Sequence, residues 1–366
     1  MWSWLIACRL FFRYAIHDDL GRTLVAVGAN YAGQCDVKDY ADIRLPNNKA
    51  EQITPAATPD NSAPAEVKKL SAIAIVGNAA YEYYNFDKTS ADIYAAAISR
   101  AAQKLSGKCG VYCTVLPTSI SMLDDKTKAQ IKCSNQEAAI EYIYSSIDPA
   151  ATVVDTYNIL RRHKDEYLYF RTDHHWTTTA AYYSYTNLMN AAGKKAAALT
   201  DFKEHIFEGF LGTLYFSSGK NPVLGNTPDT VYAYEPEGVE FIHTYEDGYE
   251  KDYHIISDAS KLGASNKYLT FVCGDHPLGV INNDGIADES ACLVIKESFG
   301  NAMVPYFTQN YHTVYVADYR YIDKVYSGNL EAFVGEHGVN DVFFVNNISA
   351  TRNITLMKNV STFVGE

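Results

Sequence analysis

The 366-residue chain carries 31 Lys and Arg against 43 Asp and Glu, a net charge of −12. That balance argues against nucleic acid or an anionic lipid surface as the main partner, because phosphate contacts need clustered cations. An apolar content of 47% supports a sizeable core, in one large α/β domain or two smaller ones. Tyrosine stands out at 29 copies; its amphipathic ring suits grooves for carbohydrate, and suits half-buried core positions equally well. Seven cysteines cannot all pair internally. Cys109 and Cys113 would lie about 13 Å apart in a strand, too far for a disulfide. Cys273 and Cys292 flank apolar runs and read as core thiols. Without a Cys-x-x-Cys pair, no structural zinc site is expected.

The chain contains no run of about 20 apolar residues, so no membrane span is expected. Residues 2–12 are apolar but interrupted by Arg9, and 24–35 resembles a lipoprotein signal in which Gln34 is an unusual neighbour for Cys35. An export signal with a membrane tether and an ordinary N-terminus both fit. Residues 1–70 read as leader and linker, with 47–67 rich in Pro, Ala, Asn and Thr and without period.

Order is expected from 71 onward, as one α/β domain over 71–366. Residues 72–76 (AIAIV) form a short buried strand ending at Gly77, and 78–86 a Tyr-rich loop. Thr89 with Asp92 resembles a capping box for a helix to Leu105. A strand follows at 111–116, leading to Thr118 and Ser119. Ser134 with Glu137 opens a helix to about 146; then come a strand at 151–154, a helix at 155–162 and a strand at 167–170. Asp173, His174, His175 and Trp176 form a loop, and Thr177 caps a helix to Ala192 that Gly193 stops. Residues 201–267 break the rhythm with Gly, Pro, acids and Tyr, and read as a β/loop insertion that is a lid, a substrate platform or a solvated decoration. After a strand at 268–273, strands at 291–295, 313–317 and 341–345 alternate with helices at 298–309 and 329–336. Continuous apolar strands between helices imply a parallel sheet covered on both faces, with ligands beyond the carboxyl ends of its strands.

Ser298 follows such a strand and precedes a helix. That placement exposes its Oγ at the carboxyl edge, with backbone N–H groups and Asn301 near enough to hold an oxyanion. A serine there is equally an ordinary N-cap. A serine nucleophile needs a base, and the base an orienting acid. Residues two apart in an extended segment point the same way, so His175 and Asp173 can fill those roles while His174 faces elsewhere. Asp275 and His276, after the 268–273 strand, are a competing pair. Arg320, behind the 313–317 strand, can hold an anionic substrate group or the oxyanion. Ligation of a metal by Asp173, His174 and His175 remains an alternative, although adjacent histidines seldom share one ion.

The run from Tyr167 to Thr177, YLYFRTDHHWT, resembles the signature of the bacterial DHHW protein family. The likeness continues through Gly274 to Pro277 (GDHP), Lys296 to Asn301 (KESFGN) and Asp318 to Arg320 (DYR), and covers roughly residues 70–350. The family is similar in turn to the SGNH-like acetyltransferases of exopolysaccharide export, the alginate O-acetylation proteins, which carry an Asp-x-His-Trp motif ahead of the serine motif. The resemblance implies a three-layer α/β/α fold, mostly parallel and SGNH-hydrolase-like in permuted motif order. It implies Asp173 as acid, His175 as base, Ser298 as nucleophile and Arg320 as a substrate-site residue, without cofactor or metal. Glu297 departs from the Asp more usual before the serine. The function so implied is acyl or acetyl transfer, or ester hydrolysis, on a cell-envelope or exported carbohydrate outside the cytoplasm, with a membrane protein as acyl donor. A non-catalytic carbohydrate-binding protein on the same fold, and a cytoplasmic location, stay open.

Overall fold

The computed structural model describes residues 66–366; the leader, the export signal and most of the linker fall outside them. The described chain enters as a small antiparallel sheet of β1 (Val67–Lys69), β2 (Ile73–Val76) and β3 (Ala79–Glu82). β1 lies at the expected linker's end and β3 inside the expected loop; Gly77, at φ 57, lets the chain fold straight back from β2. Asx side chains also outcompete the caps read from the sequence. Asp87 caps α1 (Lys88–Leu105) through the Ser90 N–H at 2.7 Å.

Then come β4 (Gly110–Leu116), α2 (Asp125–Gln130), α3 (Gln136–Ser145), β5 (Thr152–Val153), α4 (Thr156–Arg162) and α5 (Thr178–Ala191). Asn135 caps α3, because the Ser134 Oγ is taken by the Phe86 N–H at 2.9 Å. The 201–267 region holds β6 (Lys203–Phe210), α6 (Thr213–Ser217), α7 (Pro222–Gly225), β7 (Asp229–Glu235), β8 (Val239–Thr244) and β9 (Glu250–Asp252). The remainder is β10 (Leu278–Asn283), β11 (Ala291–Lys296), α8 (Val304–Phe307), β12 (Thr313–Asp318), α9 (Leu330–His337), β13 (Asp341–Asn347) and α10 (Ile354–Val364).

The central sheet runs β5-β4-β13-β11-β12-β10-β8-β9. The strands from β5 to β12 are parallel, and β10, β8 and β9 extend the sheet antiparallel. Its strands read as unbroken apolar runs because both faces are covered. Cys292 and Val294 of β11 enter one core with α5, α8 and the two-stranded β6–β7 sheet; Leu293 and Ile295 enter another with α1, α3, α9 and α10.

Four expectations change. The 201–267 region is not a decoration: Phe207, Phe210 and Val231 are buried in the core, while β8 and β9 lengthen the main sheet. The expected strand at 268–273 is a 3₁₀ turn, Ala264–Thr270, followed by left-handed backbone at Val272, Cys273 and Gly274 (φ 45, 55 and 90). The expected helix at 298–309 is a 3₁₀ turn, Ser298–Ala302, and then α8, where Pro305 has no N–H to continue the earlier turn. The expected strand at 167–170 keeps one bridge, Tyr169 to Trp176, outside the central sheet. Among the described residues Cys109, Cys113, Cys133, Cys273 and Cys292 form no disulfide.

Candidate active site

Ser298 leaves the carboxyl end of β11, where Lys296 is paired with Asp318 of β12 and Val345 of β13. The buried Glu297 builds its turn. One carboxylate oxygen accepts the Phe299 N–H at 3.0 Å, and the other accepts the Asn347 N–H at 3.0 Å from the end of β13. The longer side chain at this departure from the family pattern therefore ties the serine turn to the neighbouring strand. Burial raises the Glu297 carboxyl, against the pull of Arg320 and these N–H donors.

The loop carrying Asp173 and His175 is shaped by another buried acid. Asp229, at the start of β7, accepts the N–H groups of Arg171 (3.0 Å) and Thr172 (2.7 Å) and the hydroxyls of Thr172 and Tyr167 (both 2.6 Å). A carboxylate thus replaces the strand ladder that the sequence suggested. Two bonds then join this loop and its surroundings to the serine turn. The Trp176 indole, fully buried, donates to the Phe299 carbonyl at 2.8 Å. The Tyr268 hydroxyl donates to the Ser298 carbonyl at 2.9 Å.

These constraints bring the three sequence-predicted residues into line. His175 Nε2 lies 2.9 Å from Ser298 Oγ, and His175 Nδ1 lies 2.6 Å from Asp173 Oδ1. Asp173 Oδ2 accepts the Thr213 N–H at 2.8 Å and its hydroxyl at 3.1 Å. Gly212 presses so closely that a Cβ there would sit 2.2 Å from the Asp173 Cβ. The His175 ring is stacked on Tyr268 at 3.8 Å and lies 3.8 Å from His174 on another side. Asp173 and His175 are buried; Ser298 is half-exposed.

The electrostatics follow from that packing. Burial pushes the His175 imidazole down, the neighbouring His174 pushes it further, and Asp173 recovers only part, leaving it at about 4. Burial alone would raise Asp173, but the two imidazoles and the hydrogen bonds from His175 and Thr213 outweigh it and hold the carboxyl well below the usual range. At neutral pH the pair is a carboxylate beside a neutral imidazole whose Nε2 faces a hydroxyl, an arrangement able to accept the serine proton.

The other candidates are deployed differently. Arg320 does not point an unengaged guanidinium at a substrate: it bonds Asp318 at 2.5 and 2.8 Å and Asp275 at 2.9 Å. Buried Lys296 joins the same cluster, 3.0 Å from Asp318 and 3.4 Å from Asp275. The competing pair is not assembled, since Asp275 enters this cluster while the His276 ring lies tilted against His243, 3.9 Å between centres. The Asn301 amide donates to Asp275 at 2.9 Å. The Phe299 N–H goes to the Glu297 carboxylate and the Gly300 N–H to the Glu297 carbonyl, so these two of the expected oxyanion donors are engaged within the protein. His174 does not turn away from the site; its Nδ1 lies 2.7 Å from the Thr213 hydroxyl. Ligand atoms of Asp173, His174 and His175 fall within 4.8 Å of one another, yet both His175 nitrogens are engaged, by Asp173 and Ser298. Thr118 is a turn residue bonded to Gln136.

Sequence reasoning missed Thr213, Gly212, Tyr268 and Asp229. Thr213 acts through its backbone N–H and a lone hydroxyl, and Gly212 through the lack of a side chain, none of which leaves a motif, and Tyr268 was lost among the many tyrosines. A solitary Asp before the alternating run of β7 was the only visible sign of Asp229.

The architecture is a mixed α/β fold with a large, mostly parallel central sheet and a Ser–His–Asp series beyond its carboxyl edge. The chain belongs to the DHHW protein family, whose pattern matches residues 34–317. Among solved structures it resembles a DHHW family protein from Eubacterium siraeum, with a TM-score of 0.73 at 24% identity over 81% of this chain and 97% of that one. It also resembles Bacillus cereus PatB1, solved with a sulfonyl adduct, with a TM-score of 0.64 at 18% identity over 78% and 98%. The O-acetyltransferase domain of Pseudomonas putida AlgJ aligns over 81% of this chain and 99% of that one, at 10% identity and a TM-score of 0.41. No curated protein matches the chain.

Proposed function

We propose that the chain is a serine-dependent acyl transferase or esterase, acetyl being the expected group, that acts on a cell-envelope or exported carbohydrate. The observation that carries this reading is the unbroken series from Ser298 Oγ through both nitrogens of His175 to Asp173, with contacts of 2.9 and 2.6 Å. In the proposed reaction Ser298 Oγ attacks the acyl carbonyl while His175 Nε2 takes its proton. Asp173 holds the imidazole in the tautomer with the proton on Nδ1 and stabilises the imidazolium. The tetrahedral intermediate collapses, the imidazolium protonates the leaving oxygen, and an acyl-serine remains. Water or a sugar hydroxyl, deprotonated by the same nitrogen, then releases the acyl group. The reading assigns the oxyanion to the second hydrogen of the Asn301 amide, the first being given to Asp275.

No cofactor enters this chemistry. An extracytoplasmic location and a membrane acyl donor belong to the same proposal. Among the described residues no helix is long and apolar enough to cross a membrane. One observation favours a second reading, a glycan-binding protein without catalysis: Glu297 occupies the two backbone N–H groups that follow Ser298. Hydrolysis of an aryl acetate separates the two. The catalytic reading requires turnover that falls about a thousandfold or more in Ser298→Ala and in His175→Ala. Glycan binding with no acetyl release, unaffected by His175→Ala, would establish the second.

A further inference from the structure

A cluster of aromatic rings stands apart from the Ser–His–Asp series, at the turn joining β8 to β9. Tyr245 and Tyr249 close that turn, with the Tyr245 N–H donating to the Tyr249 carbonyl at 2.8 Å and Gly248 at φ 79. Their ring centres lie 6.0 Å apart. Tyr245 meets His276 edge-on at 5.0 Å and is hydrogen-bonded to Tyr253, whose ring lies 6.2 Å from the same histidine. Tyr249 is 60% exposed, the most open large side chain of its kind among the described residues.

Strand register places this turn beside the reaction. Lys296 of β11, which ends next to Ser298, pairs with Asp318; the adjacent Ala317 pairs with Leu278, Leu278 with Thr244, and Thr244 with Glu250. The 245–249 turn therefore opens on the same edge of the sheet as Ser298, three strand spacings or roughly 14 Å along it. Side chains bridge the interval. Asp275, next to His276, accepts from Asn301 of the serine turn, and Glu246 pairs at 3.5 Å with Lys324 behind Arg320.

We infer that Tyr245, Tyr249, Tyr253 and His276 form a docking platform for a neutral glycan strand, an extension of the carbohydrate whose ester or hydroxyl reaches Ser298; this rests on the function proposed above. Flat phenol rings pack against the C–H faces of sugars while their hydroxyls bond sugar hydroxyls. Charge selects the kind of glycan. Glu246, Asp247, Glu250 and Asp252 crowd the turn, and Lys251 lies over the Tyr253 ring at 4.9 Å. That field repels uronates and phosphates, leaving uncharged hexose chains as the fitting class.

The test is a binding titration of the wild-type chain and the Ser298→Ala chain with neutral β-linked gluco- and chito-oligosaccharides, from dimer to hexamer, followed by NMR. The span to Ser298 predicts that a hexamer binds about tenfold more tightly than its dimer. Tyr249→Ala removes that advantage, and Val153→Ser, on the far edge strand, keeps it. If no hexamer outbinds its dimer, or if Tyr249→Ala keeps the advantage, the platform is wrong. Because binding is read without turnover and in Ser298→Ala too, failure of the platform and failure of the catalytic proposal give separate results.

Discussion

Gly212→Ala tests whether the site depends on how tightly Asp173 is held. The backbone of Gly212, at φ −87 and ψ −166, suits alanine as well as glycine, so only the new methyl group matters. It would sit 2.2 Å from the Asp173 Cβ and 2.3 Å from its Oδ2. Carbon atoms settle at roughly 3.5–4.0 Å, so one side must retreat by more than about 1 Å. Neither retreats freely. The Gly212 N–H is bonded to the Thr172 hydroxyl at 3.1 Å, and Asp173 is held by Thr213 and His175. Overpacking of this kind costs about 1–3 kcal/mol of stability, and a displacement of about 1 Å in a positioning group costs on the order of 100-fold in rate. Aryl acetate kinetics with a thermal melt should therefore show kcat down about 100-fold in a protein that still unfolds cooperatively, with KM little changed. A rate within twofold of wild type would refute the claim that Asp173 must be so closely confined. Gly335→Ala is the counterpart: within α9, where an added Cβ meets nothing within 4 Å, it should gain about 0.5–1 kcal/mol and leave the rate alone.

Acidification probes the imidazole. His175 is held down to about 4 against an ordinary 6.5, so kcat/KM should stay level through pH 6 and fall only as pH approaches about 4; an acid limb centred near 6.5 would contradict this. The same depression means that between those values the unfolded chain binds a proton the folded chain refuses, so His175's share of stability is whole above 6.5 and shrinks as pH drops toward 4, readable from urea midpoints across that range. Lys296→Ala strips a buried cation from Asp318 and Asp275 and should cost about 3–5 kcal/mol in denaturant unfolding; a loss below about 1 kcal/mol would mean that Arg320 alone neutralises both acids. Exhaustive chelation should leave aryl acetate hydrolysis intact, and its loss would revive metal ligation by Asp173, His174 and His175.

What the sequence disclosed divides along a physical line. β11, β12 and β13 were readable because a doubly covered parallel strand must be apolar throughout, and that run is local. Ser298, His175 and Asp173 were readable because each stands where a local pattern stops. The route that joins them was not, since it depends on distant partners. Asp229 satisfies the backbone of residues 171 and 172, 58 and 57 positions away along the chain, and so replaces the strand expected at 167–170. Arg320, taken for a substrate contact, is consumed by two acids, only one of which lies close in sequence. The 201–267 region hid its contribution because its strands are half polar, yet it supplies the Thr213 donors and the steric wall that fix Asp173.

The central claim is that Ser298 Oγ is a nucleophile primed by His175, and labelling with a fluorophosphonate measures that directly. The account predicts one adduct, mapped by mass spectrometry to Ser298, strongly slowed in His175→Ala and gone in Ser298→Ala. Labelling of Ser298→Ala at the wild-type rate, or an adduct on another residue, would contradict it.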